Sequence, residues 1–206
     1  MTLNALEKRW HSLFPKNTSI CNLGYGFESI INHYQEPHRY YHNLNHISAC
    51  LNHLDQFENL DSPQDIELAI WFHDVIYDPL AKDNEEKSAE FAIMTLDNLK
   101  FDSVRTEKIA HLVILTKHPS APTNHDEKAL LDIDLSILGS EASLYSDYES
   151  WIRQEYKSVP NFLYRKGRRK VLQSFLDQPT IYFTDVFKNK YEEQARKNLH
   201  DAIQQL

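Results

Sequence analysis

From Thr2 to Leu206 the apolar residues of this chain recur at spacings of three and four, the signature of helices that each bury one face. Leu3, Leu6, Trp10 and Leu13 form one such stripe, and Leu44, Ile47, Leu51 and Leu54 form another. Only 4 of 206 residues are glycine, so a turn-rich β architecture lacks its usual hinge residues. No repeat, low-complexity tract or linker interrupts the pattern. The expected fold class is all-α, as a single domain covering 1–206 with a substantial core.

The spacing predicts helices over Thr2–Phe14, Gly26–Gln35 and Asn43–Phe57. Another starts at Ser62-Pro63-Gln64-Asp65, where Ser62 can cap and Pro63 suits the first turn, and runs to Tyr77-Asp78-Pro79. It is apolar on most sides, which predicts a central position. Asp83-Asn84-Glu85-Glu86 resembles a capping box ahead of a helix through Leu96. Further helices are expected from Asp102 or Ser103 to Thr116, over His125–Leu138, over Ser140–Ser158, over Asn161–Leu176 and from Thr184 to Leu206. Gly139 is expected as a left-handed C-terminal cap.

A formal charge of -8 argues against nonspecific wrapping of nucleic acid. Cys21 and Cys50 are the only cysteines, which fits a reducing cytoplasm better than a disulfide scaffold. The N-terminal residues lack a signal-peptide apolar core, and no apolar run matches a bilayer. A cytoplasmic protein with no membrane partner is the expectation.

Chemistry concentrates at Trp71-Phe72-His73-Asp74-Val75-Ile76, where an ionisable pair sits in an otherwise apolar run. Burial of such a pair is costly unless each member has a partner, and a metal ion serves both. His42 and His46, spaced i, i+4, share a helix face if the helix already includes Tyr41, and either imidazole can be a ligand. Asp134 lies on the stripe of Leu130 and Leu138, so a carboxylate falls among core positions, whereas Asp132 points elsewhere.

The order His46 … His73-Asp74 … Asp134 resembles the signature of the HD-domain superfamily of metal-dependent phosphohydrolases. The blocks Tyr41-His42-Asn43-Leu44-Asn45-His46-Ile47, Asp83-Asn84-Glu85-Glu86-Lys87-Ser88-Ala89 and Leu131-Asp132-Ile133-Asp134-Leu135-Ser136-Ile137-Leu138-Gly139 are similar to a branch of predicted HD phosphohydrolases. So are Gly167-Arg168-Arg169-Lys170-Val171-Leu172 and Glu193-Gln194-Ala195-Arg196-Lys197-Asn198-Leu199. The likeness extends over most of the chain. It implies a helical HD-type domain with a metal site between central helices, held by His46, His73, Asp74 and Asp134. His46 fits the first ligand position better than His42, because Ile47, Cys50 and Leu51 follow it at helical spacing.

The implied activity is hydrolysis of a phosphate ester or anhydride by a metal-activated water. Asp74, Glu86 and His42 are the candidate catalytic residues: Glu86 to orient or deprotonate the water, His42 to contact substrate or bound water. His118, Arg168 and Arg153 are candidates for substrate phosphate. The cofactor expected is a divalent ion: Mn, Fe, Co, Ni, Zn or Mg, with imidazole plus carboxylate disfavouring Ca. The partner is a small phosphorylated substrate, a nucleotide by resemblance; no stable nucleic-acid complex is expected, and a homo-oligomer is left open. Two rivals stand beside this reading: a non-catalytic sensor of nucleotide or metal, and a di-iron oxygenase-type HD protein. The Gly-rich phosphate loop, the Gly-x-Ser-x-Gly elbow and zinc-finger cysteine spacing are all absent.

Overall fold

The helical periodicity is realised among the described residues. The computed structural model describes residues 1–117 and 121–206. Among the described residues the α-helices are α1 (Leu3–Ser12), α2 (Ile20–Tyr34), α3 (Leu44–Leu54), α4 (Pro63–Phe72), α5 (Asn84–Asn98), α6 (Ser103–Leu115), α7 (His125–Asp134), α8 (Ala142–Glu155), α9 (Asn161–Leu176) and α10 (Asp185–Gln205). A 3-10 turn, Leu135–Gly139, follows α7. No strand occurs among the described residues. No helix described is long and apolar enough to cross a membrane.

Helix starts follow local chemistry. Thr2, Ser19, Asn43, Asp102 and Thr184 each precede a helix and accept one of its first amides through the side chain, satisfying a donor the helix cannot pair itself. Ser62 does not cap α4 in this way. The Asp126 carboxylate takes the N–H groups of Asp61 and Ser62 at 2.8 and 2.9 Å instead. At α7 the Asn124 side chain accepts the Glu127 N–H at 2.9 Å, and the Glu127 carboxylate turns back onto the Thr123 N–H. Asp83 precedes α5 but makes no side-chain cap; its carboxylate pairs with Lys87.

Three expected boundaries shift. Helix α2 begins at Ile20 rather than Gly26, because Ser19 supplies a cap upstream. Helix α4 ends at Phe72, short of Tyr77. Beyond it, Val75 N–H bonds to the Phe72 carbonyl at 3.1 Å and Ile76 N–H bonds to the Ser88 hydroxyl at 3.1 Å, so neither continues the ladder. Helix α7 ends at Asp134, where the 3-10 turn takes over. Gly139 is not left-handed, since no glycine has positive φ. Its role is clearance: an added Cβ would lie 2.5 Å from the Tyr191 Cβ.

The chain packs as two compact units, residues 1–130 and 131–206. In the first, α4 lies against α3, α5 and α6. Its Ile66, Leu68, Ala69, Ile70, Trp71 and Phe72 are buried, which is why its apolar residues run around the helix instead of along one stripe. The Trp10 ring meets Trp71 edge-on at 5.8 Å and Phe72 at 5.9 Å, an arrangement suited to aromatic quadrupoles. In the second unit α10 packs against α8, α9 and the 3-10 turn, around buried Leu172, Tyr182, Phe187 and Leu199.

Candidate metal centre

His46 sits in the first turn of α3, with Ile47, Cys50 and Leu51 buried beside it. That apolar stripe draws the α3 face inward and takes the imidazole with it, leaving His46 5 % exposed. His73 follows the last residue of α4 and is 2 % exposed. Asp74 stands one residue further, in the turn, with its side chain 19 % exposed. The adjacent pair therefore lies in the turn after α4, not within the helix expected to run to Tyr77.

His73 Nδ1 lies 2.9 Å from the Ile70 carbonyl. A carbonyl only accepts, so Nδ1 carries the proton and Nε2 presents a lone pair. That Nε2 is 3.0 Å from His46 Nε2 and 3.1 Å from Asp74 Oδ2, and His46 Nε2 is 3.7 Å from the same oxygen. Three electron-rich atoms this close repel one another unless a proton or cation lies among them. A circle through the three has a radius of about 1.9 Å, within the roughly 2.0–2.2 Å of metal–nitrogen and metal–oxygen bonds. A single point at bonding distance from all three therefore exists, and the donor set fits a divalent transition ion.

Asp134 is the last residue of α7, half-buried. It belongs to the second unit and offers a carboxylate oxygen of the ligating kind. Asp132 has other work. It is fully buried and accepts the Phe183 N–H, the Thr184 N–H and the Thr184 hydroxyl at 2.7, 2.7 and 2.6 Å, fixing the start of α10.

His42 lies before the helix, not in it, because Asn43 caps α3. Its ring still comes within 6.2 Å of the His46 ring and stacks on Tyr77 at 4.2 Å. Tyr41 packs on His46 at 4.8 Å. The Cys50 thiol is 3.7 Å from His46 Nδ1. An aromatic wall thus borders the donor atoms.

The two glutamates of the first α5 turn face different surroundings. Glu86 is exposed and ion-paired with Lys117, whose hydrogen bond holds its carboxyl below the usual range. Glu85 is half-buried; burial pushes its carboxyl up, and the Asp74 charge adds to the rise despite opposition from Lys117. Of the two, Glu85 is the less exposed and the one whose charge is coupled to Asp74. Sequence spacing alone puts both in the same turn.

Of the remaining candidates, Arg168 and Arg153 lie in the second unit. His118 falls outside the described residues. Arg168 is nearly buried, bonded to Glu149 at 3.1 and 2.7 Å and set over the Tyr148 ring; Tyr148 in turn feels the Asp134 charge. Arg153 donates to the carbonyls of Tyr156 and Val159 at 2.6 and 3.2 Å, closing the end of α8. Both guanidinium groups are engaged within their own unit, a role the basic composition of this stretch does not reveal. No family model, no curated protein and no solved structure matches this chain.

Proposed function

We propose that this protein is a metal-dependent phosphohydrolase acting on a phosphate ester or anhydride of a small molecule, with a nucleotide as the substrate class to try first. The observation that carries the reading is the triangle of His46 Nε2, His73 Nε2 and Asp74 Oδ2, open to one ion at bonding distance from all three. The ordered likeness to HD-domain phosphohydrolases supplies the reaction class, and Asp134 is the fourth ligand in it.

His46, His73 and Asp74 would hold a divalent ion, which would supply a more acidic water and a polarised phosphoryl oxygen. The chain's own residues do the rest. Ile70 keeps His73 in the tautomer that ligates. Glu85 takes the proton from the attacking water, its raised carboxyl matching that task better than Glu86. His42, backed by Tyr77, contacts the substrate at the edge of the site. Arg168 and Arg153 are not needed as phosphate clamps in this scheme, since each is bonded elsewhere.

The test is a phosphate-release screen of metal-reconstituted protein over nucleotides and small phosphomonoesters, with Asp74→Asn as the negative control. Turnover that needs added metal and vanishes in the variant is the expected result. Stoichiometric metal binding without turnover on any substrate would favour the sensor reading. Oxygen consumption with two irons per chain would favour the oxygenase one.

A further inference from the structure

Arg39 belongs to none of the ligand blocks, yet its side chain is fully buried. Burying a guanidinium is costly and needs several acceptors at once. It finds them on two segments of chain. Nη1 donates to the Asp74 carbonyl at 2.6 Å and to the His42 carbonyl at 3.1 Å, and Nη2 donates to the Val75 carbonyl at 2.8 Å. Nε is held by Glu36 at 2.9 Å. The plane also lies 5.2 Å from the Tyr34 ring and 5.5 Å from the Tyr77 ring.

These bonds join the segment leading into α3, which carries His42 and then His46, to the turn after α4, which carries Asp74. Asp74 and Val75 lie beyond the helical ladder of α4, so the ladder does not fix their carbonyls. Accordingly we propose that Arg39 is a positioning residue: it fixes the Asp74 turn against the α3 entrance so that the donor atoms meet at bonding distance. Only a planar fork with several donors can hold three carbonyls in one geometry; a lysine ammonium is a point donor. A competing effect exists, because a buried positive charge near the site repels a cation. The two effects predict opposite signs, which makes the proposal decidable. It rests on the metal reading for its consequence and on the hydrogen bonds for its cause.

The experiment uses the full chain, metal-free, as wild type and as Arg39→Lys, Arg39→Met, Glu36→Gln and Arg9→Met. Arg9 bridges Asp55 and Glu67 in the same unit and serves as a control for general loss of stability. Two readouts are taken: amide hydrogen exchange over residues 40–46 and 73–77 without metal, and calorimetric titration with Mn²⁺ and with Zn²⁺ alone. The expected result is faster exchange confined to those two segments in both Arg39 variants. Metal affinity should fall on the order of 10–100-fold, the usual effect of removing a group that orients ligands. Glu36→Gln should fall between, and Arg9→Met should lower the melting temperature with affinity unchanged. If Arg39→Met does not fold, Arg39→Lys and Glu36→Gln carry the comparison. Unchanged exchange in the two segments, or affinity equal to or above wild type, overturns the proposal. A wild type that binds neither ion defeats the metal reading, and the exchange pattern alone then decides whether Arg39 sets the turn.

Discussion

The Nε2 atoms of His46, in α3, and His73, just past the end of α4, lie 3.0 Å apart, while the other nitrogen of His73 is held by the Ile70 carbonyl. The pair is thus oriented before any ion arrives. His46→Ala and His73→Ala should each abolish stoichiometric metal binding, whereas His42→Ala should retain it. Elemental analysis after reconstitution reads this directly. Retention of metal in His73→Ala would remove the centre as drawn.

Adjacent glutamates offer the sharpest kinetic contrast. Glu85→Gln removes the carboxylate whose acidity is lowered by burial and by Asp74, and should cost on the order of 10²–10⁴-fold in turnover with metal content preserved. Glu86→Gln removes an exposed partner of Lys117 and should leave turnover near wild type. Phosphate release on both variants separates them; an active Glu85→Gln would leave the proton acceptor unassigned.

Asp132 and Asp134 are two residues apart and should fail in different ways. Asp132→Ala strands the amides of Phe183 and Thr184 at the start of α10 and should cost about 1–3 kcal/mol of stability, with metal affinity intact. Asp134→Ala should lose affinity with a smaller change in melting. Thermal unfolding of the metal-free variants, paired with titration calorimetry, tests the division.

Glu127 ties stability to acid. Burial alone would push its carboxyl up, but the Thr123 N–H and hydroxyl, the His111 charge and the Asn124 amide outweigh it and hold it below its usual value of 4.5. A folded pKa below the unfolded one gives stability that is fully present above the unfolded value. It is lost as pH falls through the folded value. Wild type should therefore lose melting temperature more steeply than Glu127→Gln below about pH 4.5. Parallel melts from pH 3 to pH 6 check the slope.

The helical class is legible because period and glycine scarcity act over many residues and err independently. His73-Asp74 is legible because a charged pair in an apolar run has few physical solutions. The end of α4 is not, since the apolar run continues through Val75 and Ile76 while their amides bond elsewhere. The choice between Glu85 and Glu86 depends on Lys117, 31 residues away from Glu86, which no local pattern encodes. Arg39 leaves no side-chain signature because it acts on backbone carbonyls, and those are the same for every sequence. Gly139 carries the right residue type for a cap, but its reason is the nearness of Tyr191.

The position of Cys50, one helical turn beyond His46 with its thiol against the imidazole, gives the molecule an internal clock. Cys21 is exposed and Cys50 is buried. A thiol reagent should therefore consume one equivalent at once and the second only as fast as α3 opens. That second rate measures how often the first turns of α3 leave their place. Its slowing by an added ion would count, in seconds, how firmly an occupied centre holds the helix shut.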